Sequence, residues 1–200
     1  MNYNFIEIGT SNFDTLAEDS RNSRGLSVEP IQALLSQVKV DSSNNVIKVC
    51  AALSETDGHD YIYVVPEADI VKYGLPQWVL SSSSIGVINP NVARAFREKS
   101  LDLSLVGKSQ IKTISWKTLF EFYSVSFVDY VKVDAEGMDI KIIEWLFDYL
   151  EVSSMEHPTT VKFETREEMT DRAALKSLLE RLARLGYSTE RVGNDTIAKK

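Results

Sequence analysis

Four carboxylates stand at or near the carboxyl ends of stretches that read as strands. Glu7 is the last acid of Phe5-Ile6-Glu7-Ile8, two residues before Gly9, and Glu29 follows Gly25-Leu26-Ser27-Val28. Asp134 follows Phe127–Val133, and Glu164 ends Thr160–Glu164. One acid at a strand end is ordinary. Four on parallel strands gather along one edge of a sheet, which is where open α/β folds bind ligands. N-capping of the next helix is a competing role for Asp134. The turn Gly9-Thr10-Ser11-Asn12 is short and polar and leaves backbone N–H groups at a strand end. Its single glycine is much less specific than G-x-G-x-x-G, and an edge strand with an ordinary turn is the competing reading.

Glu29 lies about twenty residues beyond that turn, the spacing at which a carboxylate accepts both ribose hydroxyls of an adenosine-containing ligand. Glu7 is a candidate partner for an α-amino group, directly or through water. A ligand that carries both a ribose and an α-amino group is S-adenosylmethionine. The turn Gly9–Asn12 then supplies N–H groups to its carboxylate. The chain has neither a Gly-rich phosphate cradle nor G-x-x-x-x-G-K-[ST], so a pyrophosphate or triphosphate is less well served.

The elements that must position these acids alternate between strand and helix. A loop with a short helix around 15–19 leads to the strand ending at Glu29. Pro30 suits the first turn of a helix whose apolar face is Ile31, Leu34, Leu35 and Val38. Val46–Leu53 is nearly all apolar and predicts a strand covered on both faces. Tyr61–Val65 and Gln110–Ile114 are further strands. Between them, Pro66–Gly107 has little clear structure apart from a helix over 91–99. It reads as a lid or substrate loop, or else a surface excursion, and Trp78 and Ser84 in it are candidate acceptor contacts. Ser115 caps a helix carrying Trp116, Leu119, Phe120 and Tyr123, a stripe read as core. A helix over 138–150 follows Asp134. Thr170 or Asp171 caps the last long helix, with Leu175, Leu178, Leu179 and Leu182 on its buried face and Gly186 as its stop. Tyr187–Val192 and Thr196–Lys199 form a hairpin around Gly193-Asn194-Asp195. The alternation predicts an α/β fold, a mostly parallel central sheet with right-handed crossovers. The antiparallel ending resembles that of the Rossmann-like methyltransferase fold.

Composition sets bounds. The chain has 200 residues, 44% hydrophobic and 26% charged, as expected of one globular domain, with the stretch at about 66–107 its candidate lid or insertion. The net charge of −7 and the lack of a basic cluster argue against nucleic acid or an anionic membrane as main partner. Cys50 is the one cysteine and lies in an apolar run, which predicts a buried core thiol and excludes a disulfide framework. No signal peptide or bilayer-length apolar run stands out, so a cytoplasmic location is expected.

Several stretches together carry a family resemblance: FIEIGTSNFDT at the first strand, the Glu29-Pro30 pair, and Thr118-Leu119. The block Tyr130-Val131-Lys132-Val133-Asp134-Ala135-Glu136-Gly137 and the strand Val161–Glu164 complete it. From about Phe5 to Glu164 the chain resembles the FkbM family of S-adenosylmethionine-dependent methyltransferases. The resemblance implies a class I methyltransferase fold acting on an oxygen, less often a nitrogen, of a saccharide or small hydroxylated metabolite. It implies that Glu7, Gly9, Thr10, Ser11, Asn12, Glu29 and Pro30 line the cofactor, with Ala52 and Leu53 near the adenine. Asp134 and Glu136 then face the methyl group and the acceptor. Asp134 is the first candidate base and Glu136 the second, with Glu164 an acceptor contact. His157, in a loop before Pro158, is a weaker base. The spacing contains no dedicated metal motif, although carboxylates of this kind suit Mg²⁺. The first loop departs from many methyltransferases, having Thr10-Ser11-Asn12-Phe13 where a second or third glycine is usual. Two rivals stand beside this reading. One is a non-catalytic Rossmann-like binding domain that works through partners. The other is a nicotinamide-dependent oxidoreductase, which predicts a Gly-rich first turn that the chain lacks.

Overall fold

A computed structural model describes residues 1–9 and 15–200, and they fall into two compact units, 1–58 with 112–200 and 59–111. The first is an α/β unit built on a seven-stranded, mostly parallel sheet. Its strands are β1 (Asn2–Ile8), β2 (Arg24–Val28) and β3 (Asn45–Val49), then β8 (Phe127–Val133), β9 (Thr160–Glu164), β10 (Ser188–Val192) and β11 (Asp195–Lys199). Their spatial order is β10-β11-β9-β8-β1-β2-β3. Only β11 runs against its neighbours, pairing antiparallel with β9 and with β10.

Strand alternation sorts the side chains of β1. Ile6 and Ile8 enter the main core, whereas Phe5 joins a smaller cluster with Ala17 and Val38. The main core is closed by α5 (Trp116–Phe122), α6 (Asp139–Val152) and α7 (Arg172–Arg184). Leu119, Leu146, Leu178 and Leu182 are fully buried there. Each such side chain contributes about 1.5–3 kcal/mol relative to exposure. The caps follow the sequence. Ser115 accepts from the Thr118 N–H, and Asp171 accepts from the N–H groups of Ala173 and Ala174. The smaller cluster is bordered by α1 (Leu16–Asp19), capped by Thr15. The helix α2 (Gln32–Gln37) follows β2 and buries Leu34 and Leu35. Pro30 lies before its N-cap, Ile31, and so outside the first turn where the sequence put it.

The stretch Val46–Leu53 is not one strand covered on both faces. It splits into β3 and β4 (Ala52–Leu53), which bond to different partners. β3 pairs with β2 and is the edge of the sheet, while β4 pairs with Thr113 and Ile114. Ile47 and Lys48 are therefore exposed despite the apolar run. Cys50 falls in the break between the two strands and is exposed, so it is not a core thiol.

The stretch 66–107, which shows little clear structure in the sequence, falls within the second compact unit and is largely regular. The second unit, 59–111, contains most of β5 (Gly58–Val64) and of β7 (Gly107–Ile114), with α3 (Glu67–Tyr73), β6 (Ser84–Ile85) and α4 (Pro90–Glu98) between them. β5 pairs antiparallel with β6. Val65, Ile70, Leu75, Val79, Val92 and Phe96 are among the members of its own buried core. Polar punctuation masked this packing in the sequence. The apolar residues are split among short elements, each too brief to display a period. Among the described residues no helix is long and apolar enough to cross a membrane.

Candidate functional site

β1 lies at the point where the strand order reverses. The chain moves from β1 outward through β2 to β3, then returns to β8 on the other side of β1. Ligands of open α/β sheets bind outside the carboxyl ends at such a point. The backbone there is knitted together beyond the strands. The Gly9 N–H donates to the Val28 carbonyl at 2.9 Å and the Asp134 N–H to the Ile8 carbonyl at 2.9 Å. The Glu29 N–H donates to the Val49 carbonyl at 3.0 Å. Glu29 and Asp134 thus leave the strands flanking β1, within electrostatic reach of each other.

Glu29 is buried, and its Oε1 accepts from the Ile31 N–H at 2.8 Å. Burial above all, and then the charge of Asp134, raise its pKa to about 7 against that bond. Asp134 is half-buried and its pKa is also raised, chiefly by burial. Lys132, Lys162 and Arg166 oppose that rise and Asp195 adds to it. Glu164 is buried against Arg166, with a 2.7 Å ion pair. Burial and then the Asp134 charge hold its pKa near 7 in spite of that partner. Asp195 pairs with Lys162 at 3.0 Å on the neighbouring strand. Three acids from three strand ends therefore share one edge, and each is reluctant to ionise. Such an edge favours a cationic or proton-donating ligand, and a carboxyl whose pKa is raised toward neutrality suits proton transfer.

Two expected contacts are used by the chain itself. Glu7 is buried, with Oε2 accepting from the Leu16 N–H at 2.7 Å and Oε1 from the Ser27 hydroxyl at 2.5 Å. One oxygen of its carboxylate thus ties Leu16 to β1 and the other ties β1 to β2. Burial nonetheless raises its pKa. The Gly9 N–H is bonded to Val28, so it does not await a carboxylate. Glycine is required at position 9 for a different reason. Its φ is +76°, and a Cβ would stand 1.8 Å from the Asp134 carbonyl oxygen. Thr10, Ser11 and Asn12 lie outside the described residues.

The remaining candidates are distributed as follows. Pro30 is half-buried beside Glu29, and its carbonyl accepts from the Cys50 thiol. Ala52 and Leu53 are buried in β4, and Leu53 belongs to the main core. Glu136 is half-buried in the turn after β8 at φ +47°, followed by Gly137 at φ +95°. Trp78 and Ser84 belong to the second unit. Trp78 is exposed in a 3₁₀ turn, while Ser84 is buried with its hydroxyl donating to the Val87 carbonyl at 2.6 Å. His157 precedes β9, at the end of that strand opposite Glu164, and packs edge-on against Phe147. Among the described residues no cluster of three metal-ligating side chains occurs.

Two features escaped the sequence reading. Asp139 is 3% exposed, and its carboxylate accepts from Ala135, Gly137 and Glu164 N–H groups. Its only signal was an acid in the first turn of a helix. Beside it is a recess of about 90 Å³ between the starts of α6 and α7, lined by Asp139, Ile140, Lys141, Glu164 and Met169 among others. Of the strand-end acids Glu164 lines it, and its lining mixes polar and apolar groups as a small-molecule subsite does. No family model matches the chain, and no curated protein and no solved structure matches it.

Proposed function

We propose that this chain is an S-adenosylmethionine-dependent methyltransferase with a Rossmann-like class I fold, acting on a hydroxyl of a saccharide or another small metabolite. The observation that carries the reading is the edge formed by Glu29, Asp134 and Glu164 at the reversal of strand order beside β1. The sheet order, with a single antiparallel strand inserted before the last, supports the fold. The resemblance of the first strand, the Glu29-Pro30 pair and the Asp134–Gly137 block to the FkbM family supports the activity.

The donor set fits this cofactor in charge. Buried carboxyls crowded at one edge are relieved by a sulfonium and an ammonium placed among them. Glu29 would hold the ribose, since Oε1 is fixed by Ile31 and the carboxylate leaves β2 at the position suited to that contact. When bound, the cofactor supplies an electrophilic methyl group on sulfur. Asp134 takes the proton lost by the acceptor hydroxyl, with its pKa raised by burial toward the range useful for a base. Glu136 stands in the same turn as the second acid, and Glu164 with the recess beside Met169 orients the acceptor. Fixing the acceptor in line with the methyl group can supply up to roughly 7–11 kcal/mol of the barrier.

The internal use of Glu7 and of the Gly9 N–H favours a second reading, a binding domain of the same fold without catalysis. Calorimetric titration with S-adenosylmethionine and S-adenosylhomocysteine separates the two. Micromolar binding lost in Glu29→Ala is the expected result. Absence of heat from folded protein with either ligand overturns the methyltransferase reading.

A further inference from the structure

Asp139 occupies an unusual position for an acid. It is the first residue of α6, after an N-cap, Met138, whose side chain makes no capping bond. An acid in a first turn is normally solvated and interacts with the helix dipole. This one is turned inward and almost wholly buried. Oδ1 accepts from the Ala135 N–H at 3.3 Å and from the Glu164 N–H at 3.2 Å. Oδ2 accepts from the Gly137 N–H at 3.2 Å. Ala135 and Gly137 flank Glu136 in the turn that begins at Asp134, and Glu164 ends β9. The ladder between β8 and β9 ends at Val133 with Phe163; beyond it the chain after β8 turns away, while Glu164 stays paired with Asp195 of β11 on its other side.

We propose that Asp139 is a positioning residue. It clamps the turn carrying Asp134 and Glu136 to the end of the strand carrying Glu164, and so fixes the spacing of the acids at two strand ends. Its functional meaning rests on the proposed cofactor site, whereas the clamp itself is independent of that reading. Two of the three N–H groups bonded to Asp139 lie in the part-buried turn after β8 and the third, that of Glu164, is buried at the end of β9; an apolar residue at 139 would leave all three without this acceptor. One carboxylate satisfies all three because its two oxygens accept in different directions. Ordinary capping from solvent would serve α6 alone. Bonds to the turn after β8 and to β9 together join two elements that are far apart in sequence.

The test is amide hydrogen exchange of ¹⁵N-labelled protein, read at Ala135, Gly137 and Glu164 in the wild type, Asp139→Ala and Asp139→Asn. In the alanine variant all three amides should exchange at least tenfold faster, while strand amides such as Val161 keep their protection. In the asparagine variant the side-chain oxygen takes the Oδ1 place, where it serves two N–H groups, and the NH₂ replaces Oδ2. Ala135 and Glu164 then stay protected and Gly137 alone is released. A general loss of stability cannot produce that two-against-one split. Should the alanine variant fail to fold, the asparagine pattern decides alone. Wild-type exchange in Asp139→Ala, or equal release of all three amides in Asp139→Asn, overturns the clamp. Titration of S-adenosylhomocysteine into the same proteins reads the functional part. Affinity should fall at least fivefold in Asp139→Ala and return in Asp139→Asn, and unchanged affinity in the alanine variant refutes positioning. No heat from the wild type would overturn the cofactor reading while the amide pattern still judges the clamp.

Discussion

Replacing Glu29 with glutamine should make the protein more stable above neutral pH while weakening its hold on ligand. Glu29 is buried beside Asp134, and its pKa is raised from 4.5 to about 7. The folded state therefore binds this proton more tightly than the unfolded state does. Stability from the protonated form is fully present below pH 4.5 and is lost as pH rises through about 7. At about 1.4 kcal/mol per pKa unit, ionising Glu29 in place costs up to about 3 kcal/mol. Glutamine keeps an oxygen for the Ile31 N–H and removes that penalty. The variant should match the wild type near pH 4.5 and exceed it by about 1–3 kcal/mol at pH 8, part of the gain being shared with Asp134. For a chain of this size that is a rise of roughly 2–10 °C in Tm. Urea unfolding at several pH values between 4.5 and 8 measures it. Calorimetry on the same variant should show weaker S-adenosylhomocysteine binding, because a carboxylate that accepts two ribose hydroxyls has become an amide. A stability difference that does not change with pH would refute the account of Glu29 as a buried, repelled carboxyl.

Gly9→Ala should destabilise strongly, by roughly 2–6 kcal/mol, since it adds overpacking to a strained backbone. Its Cβ would meet the Asp134 carbonyl at 1.8 Å, and a variant that unfolds in urea like the wild type would show that β1 and β8 do not approach so closely. Cys50 should react with iodoacetamide in the native protein, without denaturant, because it is exposed. The reaction should be slower than that of a free thiol at the same pH, because partial burial and then the Glu29 charge raise its pKa. Protection of Cys50 until urea is added would restore the core-thiol expectation.

Local features were legible wherever a residue's chemistry acts on its own neighbours. Ser115 and Asp171 cap the helices they precede, and Gly186 takes the positive φ that ends α7. The strand Thr160–Glu164 was readable to the residue, and so were the buried Leu178 and Leu182 at helical spacing. The acids Glu29, Asp134 and Glu164 were identifiable because each sits just where an apolar run stops. Val46–Leu53 misled because hydrophobicity cannot tell a central strand from an edge strand that hands over to another. Cys50 was misread for the same reason. Asp139 had no signal in the sequence that distinguishes it from a solvated acid in a first turn, and the bonds it makes join residues 135, 137 and 164.

The sequence by itself determined the alternation of strand and helix, the helix caps, the closing hairpin and the presence of acids at strand ends. Those follow from periodicity, backbone preference and capping, which act over a few residues. The tertiary structure alone decided the strand order, and with it the placement of Glu29 and Asp134 on either side of β1. It decided that Glu7 serves the fold, held by Ser27 and Leu16, while Glu29 and Glu164 remain buried acids with raised pKa values. It also gave residues 59–111 a core of their own. Strand partners, burial and the charge of a distant neighbour are non-local, and a carboxyl acquires its role from them.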